Sequence, residues 1–151
     1  MKGKENIDLV KQWMNFKIFK KKMPRSYDST DFNLINFISI YKLNKYDMLA
    51  SLVLLSSELI KKSFSVFVSE PDYVILAGGG LKNKNLVSML KAKNNIKVYS
   101  SDFLGWSSSF IESQAFAYLA IRKVLKLKSS FPNTTGVKIP TICGEKFEFL
   151  A

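Results

Sequence analysis

The feature that most constrains the fold is an apolar run that ends in three glycines. Residues 73–77 have the sequence Tyr-Val-Ile-Leu-Ala, and residues 78–80 are all glycine. A short, uninterrupted apolar run is typical of a central strand covered on both faces. Beyond the glycines we predict a helix over residues 83–93, a strand over 96–99 and a helix over 110–125. This order predicts an α/β fold with a parallel sheet.

Two helical patterns precede the strand. The first has apolar residues at spacings of three and four, which predicts an amphipathic helix stopped by Pro24; these residues are Leu9, Val10, Trp13, Met14 and Phe16. Residues 24–32 predict a loop with capping residues that leads into a short helix. The apolar residues of that short helix are Phe32, Ile35 and Phe37. Residues 47–67 predict a long helix that is apolar around most of its circumference and is therefore buried.

The residue types present limit the chemistry. With 151 residues, of which 47% are hydrophobic, the chain is long enough to bury a core. It has no histidine and one cysteine, Cys143. This excludes histidine-based nucleophilic triads, an internal disulfide and a cysteine-histidine zinc site, and no metal ligands are predicted. Catalysis would have to use carboxylates, backbone amides, hydroxyls or lysines. Cys143 itself is expected to be a small buried hydrophobic residue.

The charge of the chain raises the question of a nucleic-acid partner. There are 23 basic and 12 acidic residues, for a net charge of +11. Only Arg25 and Arg122 are arginines, however, and lysine lacks the planar fork that binds bases and phosphates in bidentate fashion. We therefore interpret the lysines as a solvated surface and predict no nucleic-acid partner. The apolar segments are too short to span a bilayer and the amino terminus lacks a signal-peptide core, which predicts a cytoplasmic protein with no membrane contact.

Two features could carry chemistry. Gly78, Gly79 and Gly80 follow the strand at the edge of the sheet where ligands bind in open α/β folds, and glycine lets the backbone approach a ligand closely. The alternative is a flexible strand-to-helix turn, and the glycines alone support both equally. The triplet is neither a Walker A loop nor a dinucleotide fingerprint.

The second feature is acidic. Residues 109–112, Ser-Phe-Ile-Glu, fit a capping box in which Ser109 and Glu112 bond each other's backbone amides. Alternatively, Asp102 and Glu112 project toward the same cleft as the glycines and serve as a general base or position a water. Both roles are compatible with Glu112.

Taken together, four segments resemble the carboxy-terminal portion of anhydro-N-acetylmuramic acid kinases. They are Pro-Arg-Ser at 24–26 with residues 28–32, Ala-Gly-Gly-Gly-Leu-Lys-Asn-Lys-Asn-Leu at 77–86, Ser-Asp-Phe-Leu-Gly at 101–105 with Glu-Ser-Gln-Ala-Phe-Ala at 112–117, and Phe-Pro-Asn-Thr-Thr-Gly at 131–136. The resemblance extends over about residues 3–147. It implies the second lobe of an actin-like ATPase fold, which is ribonuclease-H-like, in an incomplete form. This is the sugar-kinase branch of the hexokinase, Hsp70 and actin superfamily.

The resemblance also implies an activity. Such kinases use ATP and magnesium to convert 1,6-anhydro-N-acetylmuramic acid to N-acetylmuramate 6-phosphate during peptidoglycan recycling. Gly78, Gly79 and Gly80 match the turn that approaches the nucleoside, and Asn83 matches a supporting position in the next helix. Glu112 matches an acidic residue that faces the sugar and its attacking water.

Two family motifs have no counterpart in this sequence: the Gly-Thr-Ser-x-Asp-Gly phosphate loop and the Asp-Thr-Gly-Pro-Gly-Asn segment with the catalytic aspartate. Ser29 also stands where relatives often have arginine. We therefore predict one carboxy-terminal lobe, with a helical opening segment at 1–46 and an α/β core at 47–151, that lacks the amino-terminal phosphate-binding lobe and is inactive alone. Candidate partners are a separate amino-terminal half and a second copy of the chain. The alternative function is a noncatalytic remnant or interaction module.

Overall fold

The computed structural model describes residues 2–22, 27–28, 30, 42–67, 69, 71–92 and 96–147. Pro24 and the short helix predicted around Phe32, Ile35 and Phe37 lie outside these residues. Within the described part of the chain, every helix is too short or too polar to cross a membrane.

The first helix, α1 (Ile7–Met14), has the predicted amphipathic character. Its buried residues are Leu9, Val10 and Trp13, and the Asn6 side chain caps it by accepting a hydrogen bond from the Leu9 amide at 3.0 Å. The predicted end at Pro24 was wrong, because the helix stops at Met14. There the Asn15 amide donates to two carbonyls of the last turn, and a 3-10 turn, Lys17–Lys20, follows.

The long helix, α2 (Lys45–Ser63), continues into a 3-10 turn at Phe64–Val66 and agrees with the prediction in position. Its predicted burial around the circumference was wrong. Helix α1 packs on one side of α2 and the helix after the first strand on another, so the remaining side faces solvent and Leu49 is 60% exposed. The core therefore lies between α1 and α2, and its buried members are Leu9, Val10, Trp13, Phe19, Met48, Leu54 and Leu55.

The predicted parallel sheet is confirmed. Strand β1 (Tyr73–Leu76) leads through a turn to α3 (Lys84–Ala92), and β2 (Lys97–Ser100) pairs with β1 in parallel. The register places Val74 opposite Val98. The chain is thus an α/β protein with a small parallel sheet among helices.

The expected burial of β1 on both faces was wrong. Val74 and Val98 lie beside Leu90 of α3 on the inner face of the sheet. On the other face Tyr73 is 57% exposed. An open groove of about 270 Å³ lies on that side, lined by Tyr73, Ile75, Tyr99, Phe103 and Leu104. Helix α3 covers only one of the two faces of the sheet, so the other face stays open.

The carboxy-terminal part is largely exposed. Helix α4 (Ile111–Val124) agrees with the predicted 110–125, and a short helix, α5 (Pro132–Thr135), follows it. Ser130 and Thr141 form an isolated antiparallel bridge. Cys143 is exposed, so its predicted burial was wrong: it lies on a surface segment whose backbone bonds the Ser129 hydroxyl at 3.2 Å.

Candidate functional site

The glycine turn begins where β1 ends. Gly78 has φ 79° and ψ −173°, a conformation that side chains with a Cβ avoid. Its N–H donates a hydrogen bond to the Ser108 carbonyl at 3.0 Å, and its own carbonyl accepts from the Leu81 amide at 3.2 Å. The backbone at Gly78 is therefore held between its own turn and the loop that follows β2.

The other two glycines differ from the first. Gly79 and Gly80 belong to a 3-10 turn, Gly79–Lys82, and neither has a positive φ. A Cβ added to either would meet nothing within 4 Å. The conformational requirement for glycine is thus at Gly78, whereas open space lies beside Gly79 and Gly80.

Asn83 joins the turn to the next helix. Its side-chain oxygen accepts a hydrogen bond from the Leu86 amide at 3.2 Å, which caps the amino terminus of α3. Its own amide donates to the Gly80 carbonyl at 3.0 Å. The observed bonds of Asn83 are therefore structural, and its contact with a ligand stays a prediction.

Glu112 lies beside the glycine turn. An ideal Cβ built on Gly78 would be 3.3 Å from Glu112 Oε1. Glu112 is exposed and belongs to the first turn of α4. Two of the predicted site residues, distant in sequence, are thus neighbours, and the carboxylate borders the backbone at the strand end.

The predicted capping box was wrong. The N-cap of α4 is Phe110, not Ser109, and no side chain caps this helix. The Phe110 amide donates to the Ser107 carbonyl at 3.1 Å, and this tight turn places the helix start one residue later than the pattern suggested. The Glu112 side chain is therefore not used as a cap and lies against Gly78.

Asp102 organises the loop between β2 and α4. It accepts hydrogen bonds from the Ser100 hydroxyl and, through Oδ1, from the Ser108 amide at 2.9 Å. These two bonds, with Ser100 the larger cause, lower the pKa of Asp102 from 3.8 to about 2. Because the Ser108 carbonyl bonds the Gly78 amide, Asp102 is connected to the glycine turn through a single residue.

This connection was only partly visible in the sequence. Projection of Asp102 toward the cleft is one of the two alternatives that the sequence leaves open, and the observed hydrogen bonds of its side chain lie within its own loop. Ser108 was not identified at all. The Ser100-x-Asp102 spacing, in which the Ser100 hydroxyl accepts from the Asp102 amide at 3.2 Å, is typical of serine turns and could have indicated a structural role.

Within residues 24–32, the structure describes residues 27, 28 and 30. Asp28 Oδ1 accepts from the Thr30 amide at 2.9 Å and from its hydroxyl at 3.0 Å, which forms a local turn. Residues 24–26 and Ser29 lie outside the described residues. Across the ranges that the structure describes, no group of three or more acidic or cysteine side chains could hold a metal ion.

The arrangement suits two chemical tasks. Backbone with free space beside Gly79 and Gly80 allows a flat ligand to approach without meeting a side chain. The exposed carboxylate of Glu112 can accept hydrogen bonds from a hydroxyl or a water. Both elements occur at the carboxyl end of a parallel strand, the usual position of a site in open α/β sheets.

A family model and similar curated proteins identify the same family for this chain. The family model described as anhydro-N-acetylmuramic acid kinase matches residues 1–148. Similar curated proteins carry that name, including the following three. The one from Zymomonas mobilis is 34% identical over 143 residues, which are 95% of this chain and 38% of that protein. The one from Methylorubrum populi is 32% identical over 145 residues, or 95% and 37%, and the one from Caulobacter vibrioides is 36% identical over 126 residues, or 83% and 33%.

The chain therefore spans between about a third and two fifths of the length of these relatives. The match nevertheless includes almost every residue of the chain itself, together with the glycine turn and Glu112. On this evidence the chain belongs to the anhydro-N-acetylmuramic acid kinase family.

Proposed function

We propose that this chain is the carboxy-terminal portion of a kinase that uses ATP to convert 1,6-anhydro-N-acetylmuramic acid to N-acetylmuramate 6-phosphate in peptidoglycan recycling. In this proposal it forms the second lobe of an actin-like, ribonuclease-H-like fold, with residues 1–46 leading into a core at 47–151. It acts in the cytoplasm, and it is inactive without an amino-terminal half that supplies the phosphate loop and the catalytic aspartate.

The observation that carries the proposal is the position of Glu112 against Gly78. The resemblance to this family implies that the glycine turn faces the nucleoside and that Glu112 faces the sugar. A kinase must hold donor and acceptor next to each other. The 3.3 Å separation between Glu112 Oε1 and the Cβ position of Gly78 supports the assignment, because it makes the two subsites neighbours.

The residues present fit part of the nucleotide. The open space beside Gly79 and Gly80 suits the nucleoside end of ATP. The described residues provide no carboxylate cluster for magnesium. In this proposal the triphosphate and its magnesium belong to the amino-terminal half. When bound, ATP supplies the phosphoryl group that is transferred.

This chain's own contribution is positioning and charge. The Glu112 carboxylate accepts a hydrogen bond from the water that opens the anhydro bridge and orients it toward the sugar. Asp102 keeps the loop before α4 attached to the glycine turn through Ser108. Phosphoryl transfer depends mainly on positioning and electrostatic stabilisation, so a displaced Glu112 would lower the rate.

A second candidate function is a noncatalytic interaction module. It is favoured by one observation: although α4 carries many apolar side chains, none of its residues, all of which the structure describes, is buried. In that case the chain would bind a partner through α4, or pair with a second copy, without contributing to catalysis.

Complementation separates the two functions. The chain is mixed with the amino-terminal part of a family member that ends where its match to this chain begins, and release of ADP is measured with 1,6-anhydro-N-acetylmuramic acid as acceptor. We expect turnover by the mixture and none by either part alone. In the mixture, Glu112→Gln should lower turnover at least tenfold, whereas Ser109→Ala, at an exposed position that makes no cap, should leave it unchanged.

Two results would contradict the proposal. One is a mixture that forms a complex but shows no transfer, which would favour the noncatalytic module. The other is equal turnover in Glu112→Gln and the unsubstituted chain, which would remove Glu112 from the site.

A further inference from the structure

Helix α4 is the largest exposed apolar element in the described part of the chain. Its side chains include Phe116, Tyr118, Ile121 and Val124, which are 73, 57, 58 and 69% exposed. A surface helix of a globular domain normally buries one apolar stripe against the core and shows a polar face to solvent. Helix α4 departs from this, because it is apolar and yet buries no residue.

The apolar residues surround the helix. At 100° per residue, the five large exposed ones project at about 0°, 80°, 140°, 200° and 300° around the axis. In that angular order they are Phe116, Val124, Ile121, Tyr118 and Leu119. A helix apolar on all sides is the kind found inside a protein, between layers.

The exposed apolar area at α4 is comparable with a large part of one side of a protein interface. An aromatic side chain buries about 150–250 Å² in a core, so Phe110, Phe116 and Tyr118, at 63, 73 and 57% exposed, together expose on the order of 400 Å². The aliphatic side chains of α4 add to this. The largest apolar patch on a typical monomer is about 300–600 Å², and a stable interface covers about 800 Å² on each partner. Helix α4 and its N-cap residue Phe110 therefore supply much of one side of a stable interface.

Two partners that could cover the exposed surface of α4 can be compared. A second copy of the chain, packing helix against helix, would cover a stripe about 100° wide and leave most of α4 exposed. The remainder of the family fold is a larger occupant. More than three fifths of the length of each relative has no counterpart in this chain, which is enough polypeptide to surround a 14-residue helix.

We infer that α4 is the docking helix for the part of the kinase fold that this chain lacks, and that this part encloses it on several sides. The inference rests on the proposed function for the identity of the occupant. It also connects binding to the proposed site. Because Glu112 lies in the first turn of α4, docking of this helix fixes the position of the Glu112 carboxylate relative to the amino-terminal half.

Binding is the test, and it is measured independently of catalysis. The full chain is titrated with the amino-terminal part of a family member, ended where its match to this chain begins, by calorimetry or interferometry. Phe116→Ala and Ile121→Ala alter sides of α4 that are about 140° apart. We expect each to weaken binding about tenfold or more, as for large apolar residues at the centre of an interface.

The matched control is Ile7→Ala. Ile7 in α1 is 57% exposed and Ile121 is 58% exposed, so the two changes remove the same atoms from equally exposed positions. We expect Ile7→Ala to bind like the unsubstituted chain. Because all three side chains are exposed, the circular dichroism and unfolding midpoint of each variant should match the parent, which shows that weaker binding is not a loss of folding.

Each outcome bears on the inference. Binding that is weakened by both α4 variants and not by Ile7→Ala supports it, even where no phosphate transfer follows, and in that event only the proposed function fails. Absence of binding overturns it. So does a stable dimer of the chain alone that Ile121→Ala dissociates, because the second copy would then be the occupant. Sensitivity to only one of the two α4 variants would contradict enclosure on several sides.

Discussion

Replacing Gly78 by alanine tests the geometry of the proposed site. Gly78 has φ 79° and ψ −173°, a region that residues with a Cβ occupy only at a cost of about 1–3 kcal/mol. The new Cβ would also lie 3.3 Å from Glu112 Oε1. That contact adds little, since the end of an exposed glutamate can rotate away. We expect Gly78→Ala to lower the free energy of unfolding by about 1–3 kcal/mol.

Gly79→Ala is the control at the adjacent position. Gly79 has no positive φ, and a Cβ there would meet nothing within 4 Å. Replacing glycine by alanine at a compatible position stabilises a protein by about 0.4–1 kcal/mol, because the unfolded chain loses freedom. The two neighbouring substitutions should therefore change stability in opposite directions.

Urea unfolding followed by tryptophan fluorescence measures both variants, since Trp13 is completely buried. For a loss of about 2 kcal/mol, the melting temperature of a chain of this size should also fall by about 4–8 °C. If Gly78→Ala unfolds at the same urea concentration as Gly79→Ala, the strand does not end in the conformation described, and the position of Glu112 against it loses its support.

Three further predictions concern the core, the loop and the cap. Trp13→Ala should cost about 3–5 kcal/mol of unfolding free energy, whereas Trp106→Ala, at a side chain 57% exposed, should cost far less; urea unfolding by circular dichroism distinguishes them, and similar losses would contradict the described core. Because the pKa of Asp102 is lowered from 3.8 to about 2 in the folded chain, its stabilising effect is present above pH 3.8 and is lost as the pH falls through about 2. Asp102→Asn should therefore be less stable than the parent at pH 7, with the difference disappearing near pH 2; a difference independent of pH would contradict this. Asn83→Ala should cost about 0.5–2 kcal/mol by removing the cap of α3, while Asn85→Ala, inside the helix, should be neutral or stabilising; thermal melting compares them, and equal melting temperatures would exclude the cap.

The elements that depend on local pattern were predictable. The strand at Tyr73–Leu76, the glycine turn, α3, β2 and α4 occur within a few residues of their predicted positions. Apolar periodicity and glycine placement act over short distances in sequence, so they can be read without knowing what packs against an element. The parallel pairing followed from the helix between the strands.

Burial could not be predicted in the same way. The run at Tyr73–Leu76 has the composition of a strand covered on both faces, yet one face is open. Helix α4 is likewise apolar and exposed. The apolar composition of these segments indicates that they are suited to burial. Within the structure, however, they can be covered only by residues that this chain itself supplies.

Two of the predicted site residues are neighbours in the structure, but the hydrogen bonds around them could not be predicted. Gly78 and Glu112 are both predicted site residues, and they are neighbours in the structure. The role of Ser108 was not predictable, since it acts through its backbone: its amide bonds Asp102 and its carbonyl bonds Gly78. The capping box predicted from the Ser-x-x-Glu pattern was also wrong. A turn between Ser107 and Phe110 places the start of α4 one residue later than the pattern predicts.

We propose that Gly78 and Glu112 form one side of a kinase site whose other side belongs to a separate part of the fold. Detection of N-acetylmuramate 6-phosphate by phosphorus NMR, after ATP and 1,6-anhydro-N-acetylmuramic acid are incubated with this chain, tests it most directly. We expect product when the amino-terminal part of a family member is added and none without it. Product formed by the chain alone, or no product from a mixture in which the two parts bind each other, would contradict it.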